Sequence, residues 1–501
     1  MDSAHRLTRA APATPVSSAR LGIAVAATLG VLLVCWAATI GRYGGPDEPA
    51  HVVRAYAVAH GEVRGDAAPG LAPGYRVVRV PSSLGTGDPA CYRHDPTTTS
   101  ACANADPAAS PIVRVATSAG TNPPLYYAVV GLLPRVAGVE GDPLAYRLAA
   151  VALVAMAIGA AAARLRLEAG RAVLLAALVA PSCWFLWGVV NPNGLEIALV
   201  ALAATGIVRR SSGRALLWTS LPLAFAVAMR PIALAWAIAM LALIELRERR
   251  EVHGRLQRRD RVVLWSPIAA AVATVAAWSA WSGLVIDDDR TARTGSVIAA
   301  VGDSLGGVPR SSLELVASMG WLEFWAPWPA VAAWCAAATA VVVAVVRRRS
   351  AATAPPTALP TAVWLVLLGA ALVVPLAFEV ALYERVGPIW QGRYLLPVLA
   401  IAAVVAVVAV GTITRVPARL ARVVVALAGV AAVTTHWAVA RRYSVGTDGS
   451  WWLHHGDHTS RWLTPGWWVV VHGVAVSVVV ARLLIACRSP RPHASALRQT
   501  M

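Results

Sequence analysis

Runs of about 20 apolar residues, each closed by a short polar stretch, recur along the chain. At 1.5 Å per residue, a helix of about 20 residues covers the roughly 30 Å hydrocarbon core of a bilayer. The pattern predicts an all-α polytopic membrane protein of about 12 transmembrane helices. The predicted spans are Leu21–Thr39, Pro143–Ala163, Ala172–Val190, Gly194–Val208, Ala215–Met229, Pro231–Leu246, Val262–Val285, Pro327–Val346, Thr361–Tyr383, Arg393–Thr412, Leu420–Ala440 and Pro465–Ala486. Pro123–Val136 is apolar but too short to cross, and is expected to lie at or dip into the outer surface. The first run is too long for the apolar part of a signal peptide and ends in no clear cleavage pattern, so it is expected to be an anchor.

The polar stretches between runs set the orientation. Arginine clusters in "RLRLEAGR" (Arg164–Arg171), "RRSSGR" (Arg209–Arg214), "RERREVHGRLQRRDR" (Arg247–Arg261), "RRRS" (Arg347–Ser350) and "RVPARLAR" (Arg415–Arg422). Basic excess in short loops marks the cytoplasmic side. It places a basic tail (1–20) and a C-terminal tail (487–501) in the cytoplasm, on either side of a membrane domain (21–486). The extracytoplasmic loops are then a large first one (41–122), a second (286–325) and a last (441–464). A cell (plasma) membrane protein with both termini inside is the expected arrangement.

Composition agrees. The chain is 57% hydrophobic and 14% charged, against about 25% charged residues in soluble proteins. A formal charge of +18 would suggest nucleic acid in a soluble chain, but here the arginines sit where topology needs them. No nucleic-acid partner is expected; the bilayer is. There is no Walker loop, no strand with a GxGxxG turn and no metal-type CxxC pair, which argues against an ATP-driven pump. No convincing repeat relates the two halves, which disfavours repeat-built transporters.

Most acidic residues fall in the outer segments, so chemistry is expected there. Cys91 and Cys102 share the first loop and, in an oxidising compartment, either bridge each other or stay free thiols. In "GGPDEPAH", just past the first run, Asp47 and Glu48 lie four and three residues before His51, with Arg54 a turn later. A helix start explains part of this, with Asp47 as N-cap, Glu48 in the first turn and Pro49 needing no donor. It does not explain charges at the lipid boundary, where they must be solvated or useful. Asn122, Tyr126 and Tyr127 of "TNPPLYY", Asn191, Asn193 and Glu196 of "NPNGLE", Arg230 at a hinge, Glu323 of "GWLEFW", and Gln391, Arg393 and Tyr394 of "QGRYLLP" are assigned to the same face. For the tryptophans an interfacial belt is the simpler reading, while for Arg230 and Arg393 snorkelling at the interface and a role at the site stand level.

PDEPAH, NPPLYY, NPNG, GWLE and QGRYLLP occur in that order. This ordered set resembles the bacterial membrane proteins grouped as domain-of-unknown-function family 2142, over roughly Leu21 to Ala440. That family is in turn similar to GT-C glycosyltransferases, which use polyprenyl-phosphate sugars and carry a catalytic carboxylate in the first outer loop. The resemblance implies a GT-C-like fold and a polyprenyl-phosphate sugar donor. It also implies a cell-envelope glycan or glycolipid acceptor. Asp47 or Glu48 would be the base, with His51 positioning the carboxylate or the acceptor. Arg393, then Arg230 and Arg54, would receive the departing phosphate. No cofactor is required, although Asp47, Glu48 and His51 together could hold a divalent cation. The rival expectations are a transporter or flippase for a lipid-linked precursor and a non-catalytic envelope-assembly protein. "SWWLHHGDHTSRWL" (Ser450–Leu463) reads as a wet loop.

Overall fold

The computed structural model describes residues 18–71, 74–85, 89–103, 110–166, 169–208, 213–250, 256–283, 296–349, 361–386, 389–411, 418–453 and 463–488. Asp287–Asp289, His454, His455, Asp457 and His458 lie outside them.

The first half of the chain places most of the polar motifs. Helix α1 (Ser18–Thr39) leads through a glycine-rich turn into α2 (Glu48–Ala59). A small antiparallel sheet follows, with β1 (Asp66–Ala67), β2 (Arg76–Pro81), the single turn α3 (Ser82–Gly85) and β3 (Ile112–Thr117). β2 is central, with Val78 opposite Val115. Val78 and Val80 alternate inward and are buried, as expected of a sheet with one packed face. Cys91 and Cys102 are disulfide-bonded with Cα atoms 6.3 Å apart, joining two 3-10 turns. Helices α4 (Leu125–Val136) and α5 (Pro143–Leu165) close this half, the latter capped by Asp142, whose side chain accepts from the Leu144 N–H at 2.9 Å.

The close approach of α1 to α5 depends on small residues. A Cβ on Gly159 would stand 2.6 Å from the Gly22 carbonyl oxygen, so only glycine permits this contact. Gly131 of α4 is as constrained, since a Cβ there would meet the Ala55 carbonyl oxygen of α2 at 2.2 Å. Gly131→Ala is therefore expected to push α4 off α2 and lower stability by about 1–3 kcal/mol. Thermal unfolding in detergent measures this; an unchanged midpoint contradicts the close packing.

The expected span Ala172–Val190 is not one helix. It divides into α6 (Ala169–Leu178) and α7 (Pro181–Trp187), because Pro181 cannot continue the hydrogen-bond ladder of α6. The next helix, α8 (Pro192–Val208), is bent 114° from α7. Asn191 makes the turn, accepting from the Asn193 N–H at 2.9 Å, and Pro192 opens α8 where a donor is not needed.

Helices α9 (Leu217–Met229) and α10 (Ala233–Arg250) are separate, with Arg230 extended between them. They pack with α8 and with α11 (Arg258–Ser282) in a second apolar core. The stretch expected as the second loop carries regular structure: α12 (Val297–Gly306), α13 (Val308–Ala317) and the hairpin β4 (Ser318–Met319) and β5 (Phe324–Trp325). The remaining helices are α14 (Trp328–Arg349), α15 (Thr361–Val386), α16 (Leu396–Gly411), α17 (Ala418–Ser444) and α18 (Pro465–Arg488).

Each predicted span thus contains helix. Among the described residues, six helices are long and apolar enough to cross a membrane, or seven if α7 and α8 form one broken span. α15 has only 11% of its apolar window buried and α18 17%. Such helices suit lipid as their surroundings, since water would not tolerate so much exposed apolar surface. The chain is a mainly α-helical membrane protein.

Candidate functional site

The two adjacent carboxylates have opposite environments. Glu48, first residue of α2, is fully buried. Its Oε1 accepts from Arg147 Nε at 2.7 Å and from the Val190 N–H at 3.0 Å. Its Oε2 accepts from Arg147 Nη2 at 2.7 Å and from the Gly45 N–H at 3.0 Å. Arg147 sends its other donors to the carbonyls of Ala37, Ile40 and Gly41, at 3.0, 2.6 and 2.7 Å. Ala37 belongs to the last turn of α1, whose carbonyls have no partner within the helix, and Ile40 and Gly41 follow directly after it. Glu48 and Arg147 therefore hold the end of α1, the start of α2 and the α7–α8 turn together. All four acceptor positions of the Glu48 carboxylate are thus occupied by protein donors, the arrangement of a structural ion pair.

Asp47 is different. It occupies the N-cap position of α2, but its side chain makes no capping hydrogen bond, and its backbone is left-handed at φ 59°. That conformation costs a non-glycine residue about 1–2 kcal/mol. The helix-start reading therefore does not account for this side chain. Instead the carboxylate, 52% exposed, turns to Arg393, whose Nη2 donates to Oδ2 at 3.1 Å. The guanidinium of Arg393 is 8% exposed, and its Nε and Nη1 have no hydrogen-bond partner among the described residues.

Two carboxylates that sequence reasoning gave no role at this site hold Arg393 in place. Glu314 of α13 accepts from the Gly392 N–H at 2.9 Å. Glu379 of α15 accepts from the N–H of Ile389 at 3.0 Å and from that of Trp390. Glu379 follows a long apolar run in α15, a signal that could have singled it out, whereas Glu314 sits in the mixed helix α13 beside Arg310 and gave no such signal. Arg147, four residues into the apolar run Pro143–Leu165, gave the same signal as Glu379.

His51 lies one turn beyond Asp47. Asn122 Nδ2 donates to Tyr127 Oη at 2.9 Å, and Tyr127 Oη lies 2.9 Å from His51 Nδ1. With Asn122 donating to the hydroxyl, the hydroxyl proton is free to point at Nδ1, an arrangement that suits a neutral imidazole. Burial pushes the imidazole down to about 4; Asp47 opposes this, while Arg393 and Arg230 reinforce it. The unfolded side chain titrates near 6.5. Between pH 6.5 and about 4 the unfolded chain gains a proton that the folded one refuses, so His51 costs stability progressively, up to about 3 kcal/mol. The unfolding midpoint is expected to fall more between pH 7.5 and 4.5 in the native protein than in His51→Gln; parallel curves would contradict the buried neutral ring.

Arg230 and Arg393 flank one ring, with their guanidinium carbons 5.3 and 5.4 Å from the Tyr394 centroid. Arg230 also donates to Glu196 Oε2 at 2.6 Å, and Asn193 Nδ2 reaches the same oxygen at 3.2 Å. Asp47, His51, Tyr127, Asn193, Arg230, Arg393 and Tyr394 thus form one chain of contacts and electrostatic neighbours.

The other expected residues do different work. Asn191 donates to the Pro46 carbonyl at 3.0 Å and shapes the turn beside Asp47. Tyr126 is buried edge-on to Tyr127. Arg54 is fully buried behind Tyr127, donating to the Asn122 carbonyl at 3.2 Å. Gln391 precedes the 3-10 turn that carries Arg393. Glu323 belongs elsewhere: buried at β5, it lies 3.5 Å from Arg442, whose guanidinium holds the carbonyls of Tyr92, Asp95 and Thr98. Burial pushes the Glu323 carboxyl up to about 7, against the pull of Arg442. Among the described residues no three His, Cys, Asp or Glu side chains are grouped as a metal site.

No curated protein matches the chain, and no solved structure does. The sequence model of one family covers residues 30–402, a stretch that contains all five motifs and every residue of the Asp47–Arg393 assembly. The chain belongs to that family, the predicted membrane proteins of DUF2142.

Proposed function

We propose that the protein is a GT-C-like membrane glycosyltransferase that moves a sugar from a polyprenyl-phosphate donor to a cell-envelope acceptor. The arginine-rich loops support an orientation with both termini cytoplasmic and Asp47 on the extracytoplasmic side of the cell membrane, with a dozen helical spans. One observation carries the reading. A half-exposed carboxylate, in a conformation that costs stability, is paired with a buried guanidinium that still has donors to give.

In the proposed step the acceptor hydroxyl oxygen attacks the anomeric carbon and its proton passes to Asp47. The bond from that carbon to the phosphate oxygen breaks, and polyprenyl phosphate leaves with the electron pair. A single displacement inverts the anomeric centre. Arg393 Nε and Nη1 meet the growing negative charge, with Arg230 across Tyr394 as second cation. As Arg393 turns to the phosphate its hold on Asp47 weakens, and the carboxylate becomes more basic when the proton must move. His51 and Tyr127 orient the acceptor.

The test uses purified protein in lipid nanodiscs with labelled polyprenyl-phosphate sugars and envelope glycan acceptors. Release of polyprenyl phosphate that depends on both acceptor and Asp47 is the expected result. Movement of the intact lipid across a bilayer without bond cleavage would replace this reading with the transporter, for which the buried Glu196 and Glu379 would be the sites to examine.

A further inference from the structure

A polar cavity lies outside the Asp47 assembly. It has a volume of about 530 Å³ and opens between the loop Gly61–Asp66, strands β2 and β3, and the last turn of α11. Glu62, Arg64, Asp66, Arg79, Arg114 and Trp281 supply its chemistry. We propose that this cleft binds pyranosyl glycan, holding the non-reacting sugars of the acceptor, an assignment that rests on the transfer reading above.

The argument starts with charge. Arg79 is paired with Glu62 through both its side chain and its backbone N–H, and Arg114 Nη2 is 3.0 Å from Asp66. The two pairs neutralise each other and Arg64 leaves the lining with a single net positive charge, a weak attraction for a polyanion. What remains is a set of donors and acceptors along the open edge of the cleft, the complement of a polyhydroxylated ligand.

The second element is an aromatic face. Trp281 is 54% exposed, and Arg64 stands over its ring at 5.7 Å. The ring is not loose. It packs edge-on against Trp278, 5.2 Å between centroids, and Trp278 is anchored by donating Nε1–H to the Thr121 carbonyl at 2.7 Å. A held tryptophan face beside paired carboxylates and guanidiniums offers a pyranose what it needs. The C–H face stacks on the ring and the hydroxyl edge meets the charged pairs. The volume falls within the range of ligand pockets, about 300–1,000 Å³.

The cleft connects to the site by contact. Trp278 lies 5.6 Å from the Arg54 guanidinium, which lies 5.9 Å from the Tyr127 ring, whose hydroxyl meets His51. A glycan in the cleft would therefore lie against the wall that backs the Asp47 assembly.

The experiment titrates full-length protein in nanodiscs with gluco-, galacto- and manno-configured tetrasaccharides, followed by tryptophan fluorescence and saturation-transfer NMR. Saturable binding of at least one probe is expected, weakened tenfold or more in Trp281→Ala, largely kept in Trp281→Phe, and unchanged in Asp47→Asn. Binding to none of the probes, or equal binding in Trp281→Ala with an unshifted unfolding midpoint, overturns the glycan cleft. Stronger binding of a sulfated polyanion than of any neutral probe also overturns it. The acceptor role is read separately: Trp281→Ala should raise the acceptor KM tenfold or more while leaving the donor KM alone. Glycan binding without any sugar transfer would remove the transfer reading and leave the cleft standing.

Discussion

Glu48→Gln will lose most of its folded protein. The substitution leaves Arg147, 4% exposed, facing a neutral amide in place of its counter-charge. Breaking a buried ion pair by removing one partner costs about 3–5 kcal/mol, a large part of a domain's net stability. Here the loss is structural as well as electrostatic. One Oε of the amide becomes a donor group, which confronts the N–H of Gly45 or of Val190 with another donor. The junction of α1, α2 and the α7–α8 turn should open. Arg147→Met should fail to a similar degree, since it strands the carboxylate and frees the carbonyls of Ala37, Ile40 and Gly41. Glu48→Leu combined with Arg147→Met should recover part of the loss, because no uncompensated charge remains. Monodisperse yield and the unfolding midpoint in detergent read all three. A Glu48→Gln protein that folds like the native one but is inactive would transfer the catalytic role to Glu48.

Asp47→Asn should do the reverse, keeping the fold and losing the reaction. Asp47 is already half in water, so losing its charge strands Arg393 only in part. The amide oxygen can still accept from Arg393. What disappears is the proton acceptor, a contribution of about 10²–10⁴-fold to the rate of a step that needs a general base. Arg393→Lys should also fold. Losing planar donors to the leaving phosphate is expected to lower turnover by about 10²–10³-fold, with a smaller change in acceptor KM. Full turnover in Asp47→Asn removes the proposed base, whatever happens with Arg393.

The contrast between these two predictions shows where sequence reasoning stopped. Asp47 and Glu48 are adjacent, equally acidic and equally placed at the start of a helix. Local pattern cannot rank them, because what separates them is distant. Glu48 is claimed by Arg147, 99 residues away, and Asp47 by Arg393, 346 residues away. Glu323 misled for the same reason. Its motif resembles the others, yet its partner Arg442 belongs to α17 and ties down the disulfide lobe. The break at Pro181 was more visible, and the apolar run around it hid what the proline does to a helix.

The sequence by itself determined that this is a membrane protein, where its apolar segments begin and end, and which motifs carry polar groups at their edges. Those properties follow from local composition and the thickness of a bilayer, and no folding is needed to read them. Tertiary structure alone decided which acid is buried and which is presented, that Arg393 faces Asp47, and that Trp281 lines a cleft with strands β2 and β3. Ion pairs and cavities arise between segments far apart in the chain, and burial, which sets the role of each charge, exists only after those segments have packed.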